Sequence, residues 1–293
     1  MNEPAVALAR GSAVQGSSLS SSLPIIMASL PLLVLLSALY STVLIDLFWQ
    51  CWNDPAASQG LLIPPLAAYL AYLRWNLVTD HVAQIEGAGL SAVAGGAILL
   101  VLGRLGSELF VARISFVLVA AGIIWTFWGL PRLRALSLPL LLLASMIPLP
   151  ALVYGTLSVP LQLFASSSAE TIAELAGVTL YREGNTLFLA NITLGVEEAC
   201  SGLTSLSSIL IAALLFSYIF CTRPLARVLI IFSAIPVAIA ANVIRVAGTA
   251  VLSDRQPAYA LGFYHAFSGW VVFVIALLAL YVVATTFRSF TEQ

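Results

Sequence analysis

The sequence of 293 residues contains no lysine, and only 9% of its residues are charged. Arginine supplies all the positive side-chain charge, and the formal net charge is −1. A protein that binds nucleic acid needs a basic patch or tail to neutralise phosphates, and this chain offers neither. We therefore expect no nucleic acid among its partners.

Histidine and cysteine are also scarce, with two and three copies. No HExxH sequence is present, and the EExxxR pattern of membrane prenyl proteases would need an arginine at Gly202. These absences argue against a zinc or glutamate protease. We expect neither a metal nor another cofactor.

Apolar residues make up 61% of the chain, and the mean hydropathy is +1.04. This composition predicts an all-α polytopic membrane protein, because a water-facing surface needs more polarity. A transmembrane helix needs about 20 apolar residues to cross about 30 Å of hydrocarbon. Eight runs come near that length, at residues 23–45, 60–78, 88–105, 109–130, 133–153, 203–221, 225–252 and 263–287.

The predicted organisation is a flexible cytoplasmic tail at residues 1–22 and a single transmembrane domain at residues 23–288. If the N-terminus is cytoplasmic, the eight spans place seven arginines inside and three outside. The positive-inside rule favours this orientation over its inverse. We expect a multi-pass protein of the cytoplasmic (inner) membrane of a prokaryote, with the lipid bilayer as a partner.

One long connection, residues 154–202, follows the fifth span and lies outside in this topology. Its first half spaces Leu161, Phe164, Ile172 and Leu175 along one helical face, which predicts a helix at the membrane interface. Its second half has β-favouring residues around REGN, which predicts a small β-hairpin. The hairpin leads the chain to the start of the sixth span.

The sequence GVEEACSGLTSL places Glu197, Glu198 and Cys200 at that start. Backbone N–H groups and the dipole at a helix N-terminus favour the reactive thiolate of a cysteine. Gly202 allows a substrate to approach the backbone closely. Cys200 is therefore a candidate nucleophile; the alternatives are a small hydrophobic residue or a disulfide with Cys51, which is also predicted near the outer face.

Two further residues are predicted at the same membrane level. His265 opens the eighth span from the outside, where it would act as a base or ion-pair partner, or as a structural hydrogen-bonding residue. Arg245 lies inside the seventh span, where an arginine costs roughly 2.5–3.5 kcal/mol to insert and so suggests a function. Asn242, three residues earlier, would orient it. The alternatives for Arg245 are snorkelling or a structural pair with Glu108 or Glu198.

These residues resemble the exosortase and archaeosortase family, polytopic prokaryotic membrane proteins proposed to be cysteine transpeptidases. The resemblance runs from about Ser58 to Val272. Its most specific stretches are VEEACSGLTSL, ANVIRV and YHAFSGW, and weaker ones are GLLIPPLAAYLAY, MIPLP, PLQLFASSSA and YREGNTLFL. The family often has a histidine before the glycine of the second-span motif, where this chain has Gln59 in SQGLL.

The resemblance implies a catalytic Cys200, with Arg245 and His265 as its partners. Supporting or substrate-binding residues would be Glu198, Ser201, Gly202 and Asn242. The implied substrates are exported proteins whose C-terminal sorting signal combines a Pro-Glu-Pro-like motif, one transmembrane helix and a basic tail. An amine, a surface glycan or water would accept the cleaved protein.

A non-enzymatic transporter or a scaffold for export of exopolysaccharide or protein is the alternative from another functional class. Membrane helices with an intramembrane arginine would also suit an anion pathway. Against this interpretation, the sequence shows no pair of interrupted helices in corresponding halves of the chain.

Overall fold

The computed structural model describes residues 34–54, 57–75, 86–196, 203–260 and 262–291. These residues form nine α-helices and three short strands, with two single-turn 3-10 segments at Ser58–Leu61 and Pro257–Ala260. The helices are α1 Val34–Asn53, α2 Ile63–Trp75, α3 Ala88–Leu105, α4 Leu109–Ala135, α5 Ser137–Ser145, α6 Ala151–Leu175, α7 Leu203–Phe220, α8 Pro224–Arg255 and α9 Gly262–Thr291.

The strands β1 Leu180–Glu183, β2 Thr186–Leu189 and β3 Thr193–Gly195 form one antiparallel sheet in the order β1-β2-β3. The predicted hairpin around REGN is confirmed as β1 and β2. Gly184 has a φ of +61°, so glycine suits the first position of this two-residue turn. The third strand was not predicted.

Six of the described helices are long and apolar enough to cross a membrane: α1, α3, α4, α7, α8 and α9. The predicted count of eight spans is not confirmed. The span predicted at residues 88–105 coincides with α3, and those predicted at 203–221, 225–252 and 263–287 correspond to α7, α8 and α9. The span predicted at residues 109–130 lies within α4, and α1 overlaps the one predicted at residues 23–45. The remaining two predicted spans, the second and the fifth, differ from the structure.

The second and fifth predicted spans contain shorter helices in the structure, so neither is confirmed as a span. In the second, α2 has 13 residues and begins at Ile63, with Pro64 and Pro65 in its first turn, where proline is tolerated. In the fifth, α4 ends at Ala135 and α5 has only nine residues. Pro139 would clash with a helix that continued from α4. The prolines of MIPLP disfavour helix in the residues before them, so a new helix, α6, begins at Ala151.

The helix predicted for the long connection is confirmed and is longer than expected, because α6 spans 25 residues. Its buried face consists of small or polar residues: Ser158, Gln162, Ala165, Ser166, Ala169 and Ala173. The predicted apolar residues Phe164, Ile172 and Leu175 are exposed on the surface of the protein. Contact of this exposed apolar face with the membrane interface stays a prediction.

The chain divides into two compact units, one of Met1–Gln50 with Leu73–Leu136 and one of Cys51–Tyr72 with Ser137–Gln293. In the first unit, α3 and α4 pack through glycines that recur every seven residues on α3, at Gly89, Gly96 and Gly103. A Cβ atom at Gly103 would lie 2.6 Å from the backbone nitrogen of Ala112. These glycines therefore let the two helix backbones approach more closely than any side chain would permit.

Polar side chains join α1 to α4 in the same unit. The buried Arg113 donates from Nη1 to Oε1 of Gln50 over 2.6 Å. The hydroxyls of Tyr40 and Ser115, both fully buried, are hydrogen-bonded at 2.9 Å. Because buried polar groups are costly unless they are paired, these bonds fix how α1 lies against α4.

The second unit is organised around α8. Its buried residues recur every four positions from Ala226 to Ala250 and continue to Ser253. The first part of this series packs with α7 and α9 in one apolar cluster that includes Ile209, Ala234 and Leu280. The last part packs with α6 and the sheet in another, which includes Ala169 and Leu187. Thus α8 contributes to two separate core clusters.

Substitution of Gly96 by alanine is expected to destabilise the α3–α4 pair by about 1–3 kcal/mol, as overpacking does. A Cβ atom there would lie 3.1 Å from the backbone nitrogen of Val119 and 3.2 Å from the carbonyl oxygen of Ser115. Gly95→Ala is the matched control, because its nearest neighbour, Cδ2 of Leu118, lies 4.0 Å away. Unfolding of both variants in detergent would check this; equal stability would contradict it.

Candidate functional site

The segment that carries the predicted nucleophile joins two described and well-anchored positions. Cys200, Glu197, Glu198, Ser201 and Gly202 themselves lie outside the described residues. The flanking described residues are Val196, which is 2% exposed, and Leu203, which is 7% exposed. Extended chain covers at most about 3.6 Å per residue, so the Cα atom of Cys200 lies within about 11 Å of that of Leu203.

Val196, the anchor before the Cys200 segment, is held by both its N–H and its carbonyl oxygen. The N–H of Val196 donates to the carbonyl oxygen of Asn185 over 2.9 Å. The side-chain amide of Asn185 donates to the carbonyl oxygen of Val196 over 3.0 Å and to Oε1 of Gln162 over 3.1 Å. Gln162 is a buried residue of α6. The end of the sheet is therefore tied to α6 just before the predicted nucleophile.

The anchor after the Cys200 segment is the start of α7, which begins at Leu203. It is held by Gln59, the residue that departs from the family pattern. Its Nε2 donates to Oγ of Ser207 over 2.6 Å, and its Oε1 accepts a hydrogen bond from Oγ of Ser208. Both hydroxyls also donate to the carbonyl oxygen of Thr204. Gln59 thus links the 3-10 segment before α2 to the first turns of α7.

Neighbouring contacts hold that 3-10 segment in place. Gly60 follows Gln59, and a Cβ atom there would lie 2.7 Å from Sγ of Cys51 and 3.5 Å from the carbonyl oxygen of Met146. Cys51 is 1% exposed. Glycine is required at position 60 because Cys51 and the backbone at Met146 leave no room for a side chain. The alternative disulfide between Cys51 and Cys200 stays a prediction, since Cys200 is not described.

Arg245 lies on α8 beside α9. A Cβ atom at Gly269 would be 3.7 Å from Nη1 and 3.9 Å from Cδ of Arg245. Position 265 is four residues before Gly269, so the two positions lie on the same face of α9, one turn apart. The structure therefore places Arg245 against the α9 face that carries His265. The side chain of His265 lies outside the described part.

Asn242 is 5% exposed and lies one turn before Arg245 on α8. It borders a narrow cleft between α6, α7 and α8 with an empty volume, including its open mouth, of about 240 Å³. The cleft is lined by Leu161, Phe164, Ala165, Leu206, Ile239, Asn242 and Val243. Asn242 thus lies between α6 and α7, the two helices on either side of the predicted nucleophile in the sequence. The expected role of Asn242 in orienting Arg245 stays a prediction.

Two features of the structure were not predicted from the sequence. Arg113 is a second arginine within a membrane-spanning helix and is more deeply buried than Arg245, with 5% exposure. The contact of Gln59 with Ser207 and Ser208 joins residues almost 150 positions apart. The signal for Arg113 was present in the sequence as a charge within an apolar run, whereas no local pattern indicates the Gln59 contact.

The described residues contain no group of three or more His, Cys, Asp or Glu side chains placed to hold a metal ion. What they do provide is a guanidinium on α8, facing the part of α9 that carries a histidine. They also fix the positions at which the chain enters and leaves the segment of Cys200. A cation beside a developing negative charge can stabilise it, so this arrangement suits nucleophilic chemistry near Arg245.

Comparisons with known proteins agree with these motifs. The family model for transmembrane exosortases (Exosortase_EpsH) matches residues 51–282, which include Cys200, Arg245 and His265. No curated protein and no solved structure matches the chain significantly. Together with the six apolar helices, the family match identifies a multi-pass membrane protein. The chain belongs to the transmembrane exosortase family.

Proposed function

We propose that this protein is a membrane-embedded cysteine protease or transpeptidase that cleaves C-terminal sorting signals of exported proteins. The family match across the three motifs carries the proposal. The position of Arg245 against the α9 face with His265 supports it, because residues from separate helices then share one region. The substrates would carry a Pro-Glu-Pro-like motif, a transmembrane helix and a basic tail.

The proposed reaction has two steps. The Cys200 thiolate attacks the scissile carbonyl, and the oxyanion that forms is stabilised by Arg245. As the C–N bond breaks, His265 donates to the leaving amine the proton it took from the thiol, and a thioester remains. An amine, a glycan hydroxyl or water then attacks the thioester and releases the enzyme. Glu198, Ser201, Gly202 and Asn242 would bind the substrate or support the catalytic groups.

We also propose the eight-crossing topology, with the active site on the outer face of the cytoplasmic membrane. Its arginine distribution is seven inside and three outside, whereas six crossings with the N-terminus inside would place five on each side. The positive-inside rule therefore favours eight crossings, in which the regions of α2 and α5 also cross the membrane. The α7–α8 turn is cytoplasmic in both topologies. The α3–α4 turn lies outside with eight crossings and in the cytoplasm with six.

Replacement of the three proposed catalytic residues should stop processing to different degrees. Cys200→Ala removes the nucleophile, and we expect no detectable product. His265→Ala should slow processing by about 10²–10⁴, as loss of an acid–base group does. Arg245→Ala should cost about 10²–10³, as loss of an oxyanion donor does. The measurement is the rate at which a co-expressed, tail-bearing substrate is shortened.

Each variant has a control of the same residue type: Cys221→Ala, Arg255→Ala at the end of α8, and His81→Ala. The controls should process the substrate at the normal rate at matched expression. If Cys200→Ala processed a native substrate normally, the enzyme proposal would be wrong. A transporter or scaffold is the better interpretation if a thiol probe also finds Cys200 no more reactive than Cys221.

The side of the membrane that the α3–α4 turn faces decides the number of crossings. Ser107 lies in this turn. In a variant without the three native cysteines, Ser107→Cys should react with an impermeant maleimide added outside intact spheroplasts. Thr222→Cys, in the α7–α8 turn, is the control and should react only after lysis. Labelling of position 107 only after lysis would indicate six crossings.

A further inference from the structure

The outer edge of strand β3 is exposed in the described part of the sheet. Among the described residues, β3 pairs with β2 only. Leu189 donates its N–H to Ile192, and Val196 donates its N–H to Asn185, each over 2.9 Å. In an antiparallel ladder the groups alternate, so the N–H and C=O groups of Thr193 and Gly195 point away from β2. Both residues are exposed, so in the described part of the chain this edge presents two donors and two acceptors.

The opposite edge of the sheet is protected by charge. Strand β1 carries Arg182 and Glu183, and Arg182 is ion-paired with Glu170 of α6 at 2.6 Å. Charged side chains on an edge strand hinder pairing with another chain. Strand β3, with the sequence Thr-Leu-Gly, carries no charge. An exposed, uncharged edge is a template for strand addition, so the two edges of this sheet differ in what they permit.

The open edge belongs to a preformed platform. Leu187 of β2 is fully buried in the core cluster that includes α6 and α8. Asn185 ties the end of β3 to α6 through Gln162 and Val196. A peptide that adds to such an edge does not have to order it first, which lowers the cost of binding.

We propose that the outer edge of β3 binds the substrate as an added strand, next to the bond that is cleaved. This inference rests on the proposed function, because the occupant is the extended segment of the sorting signal. Gly195 is five residues before Cys200, so their Cα atoms lie within about 18 Å. An extended substrate covers that distance with about five residues, at about 3.3 Å each. The same short stretch of chain therefore carries both the docking edge and the nucleophile.

The chemistry of the proposed signal suits an edge. Proline has no N–H, so within a sheet it is confined to positions where the missing donor faces away from the neighbouring strand. In Pro-Glu-Pro the two prolines are two residues apart and face the same way. The glutamate between them can then direct its N–H and C=O toward Thr193 or Gly195. A shift of the substrate by one residue would turn both prolines toward β3, where they have no N–H to donate. That register would be excluded, so the edge would contribute to specificity as well as to affinity.

Replacing Thr193 by proline removes one donor from this edge without removing a bond to β2. Thr193→Ala is the matched control, because it also loses the hydroxyl but keeps the N–H. We expect Thr193→Pro to shorten the tail-bearing substrate about tenfold more slowly than Thr193→Ala at equal expression, since a substrate carbonyl is left unsatisfied. Similar rates for the two variants would count against the docking edge.

A second measurement does not depend on the proline variant folding. A photo-crosslinking amino acid is placed at position 193 or, as a control, at the exposed Tyr181 of β1, in a Cys200→Ala background with uncleaved substrate. Substrate crosslinks at 193 but not at 181 would support the inference, and equal or absent crosslinks at 193 would overturn it. Processing by Cys200→Ala itself would refute the proposed function instead, so the two failures are distinguishable.

Discussion

The second unit depends on a row of small side chains along α8. Ala226, Ala234, Ala238 and Ala250 belong to a series that is buried every four residues, and an α-helix turns about 400° over four residues. The series therefore rotates by about 40° at each step. A helix with this pattern cannot bury all of these residues against one neighbour. It instead meets α7 and α9 at its beginning, and α6 and the sheet at its end.

The change of partners explains where the polar residues lie. Ala238 is the last member of the series in the cluster with α7 and α9, and Val246 is the first in the cluster with α6 and the sheet. Asn242 and Arg245 fall between them. Apolar packing is incomplete at this point, as the narrow cleft beside Asn242 shows. A protein can place polar groups there at lower cost than inside either cluster, because fewer apolar contacts are lost.

Local patterns predicted the parts of the fold whose cause is local. The ends of α3 and the β1–β2 hairpin follow from apolar run length and from the turn sequence, and both are confirmed. The fifth span was predicted from hydropathy alone, which does not register that Pro139 and the prolines of MIPLP interrupt a helix. Strand β3 has three residues and is stabilised by its pairing with β2, so nothing in its own sequence distinguished it from a loop.

The candidate site was predictable only to the extent that residue type and membrane depth define it. Arg113 and Arg245 look alike in the sequence, each a single charge in an apolar helix. The structure separates them by what they touch: Arg113 bonds Gln50 within the first unit, whereas Arg245 lies against Gly269 of α9. For Gln59 the sequence indicates only a departure from the family pattern and no contact. Its bonds to Ser207 and Ser208 are products of the tertiary fold, and they fix the start of the helix that follows Cys200.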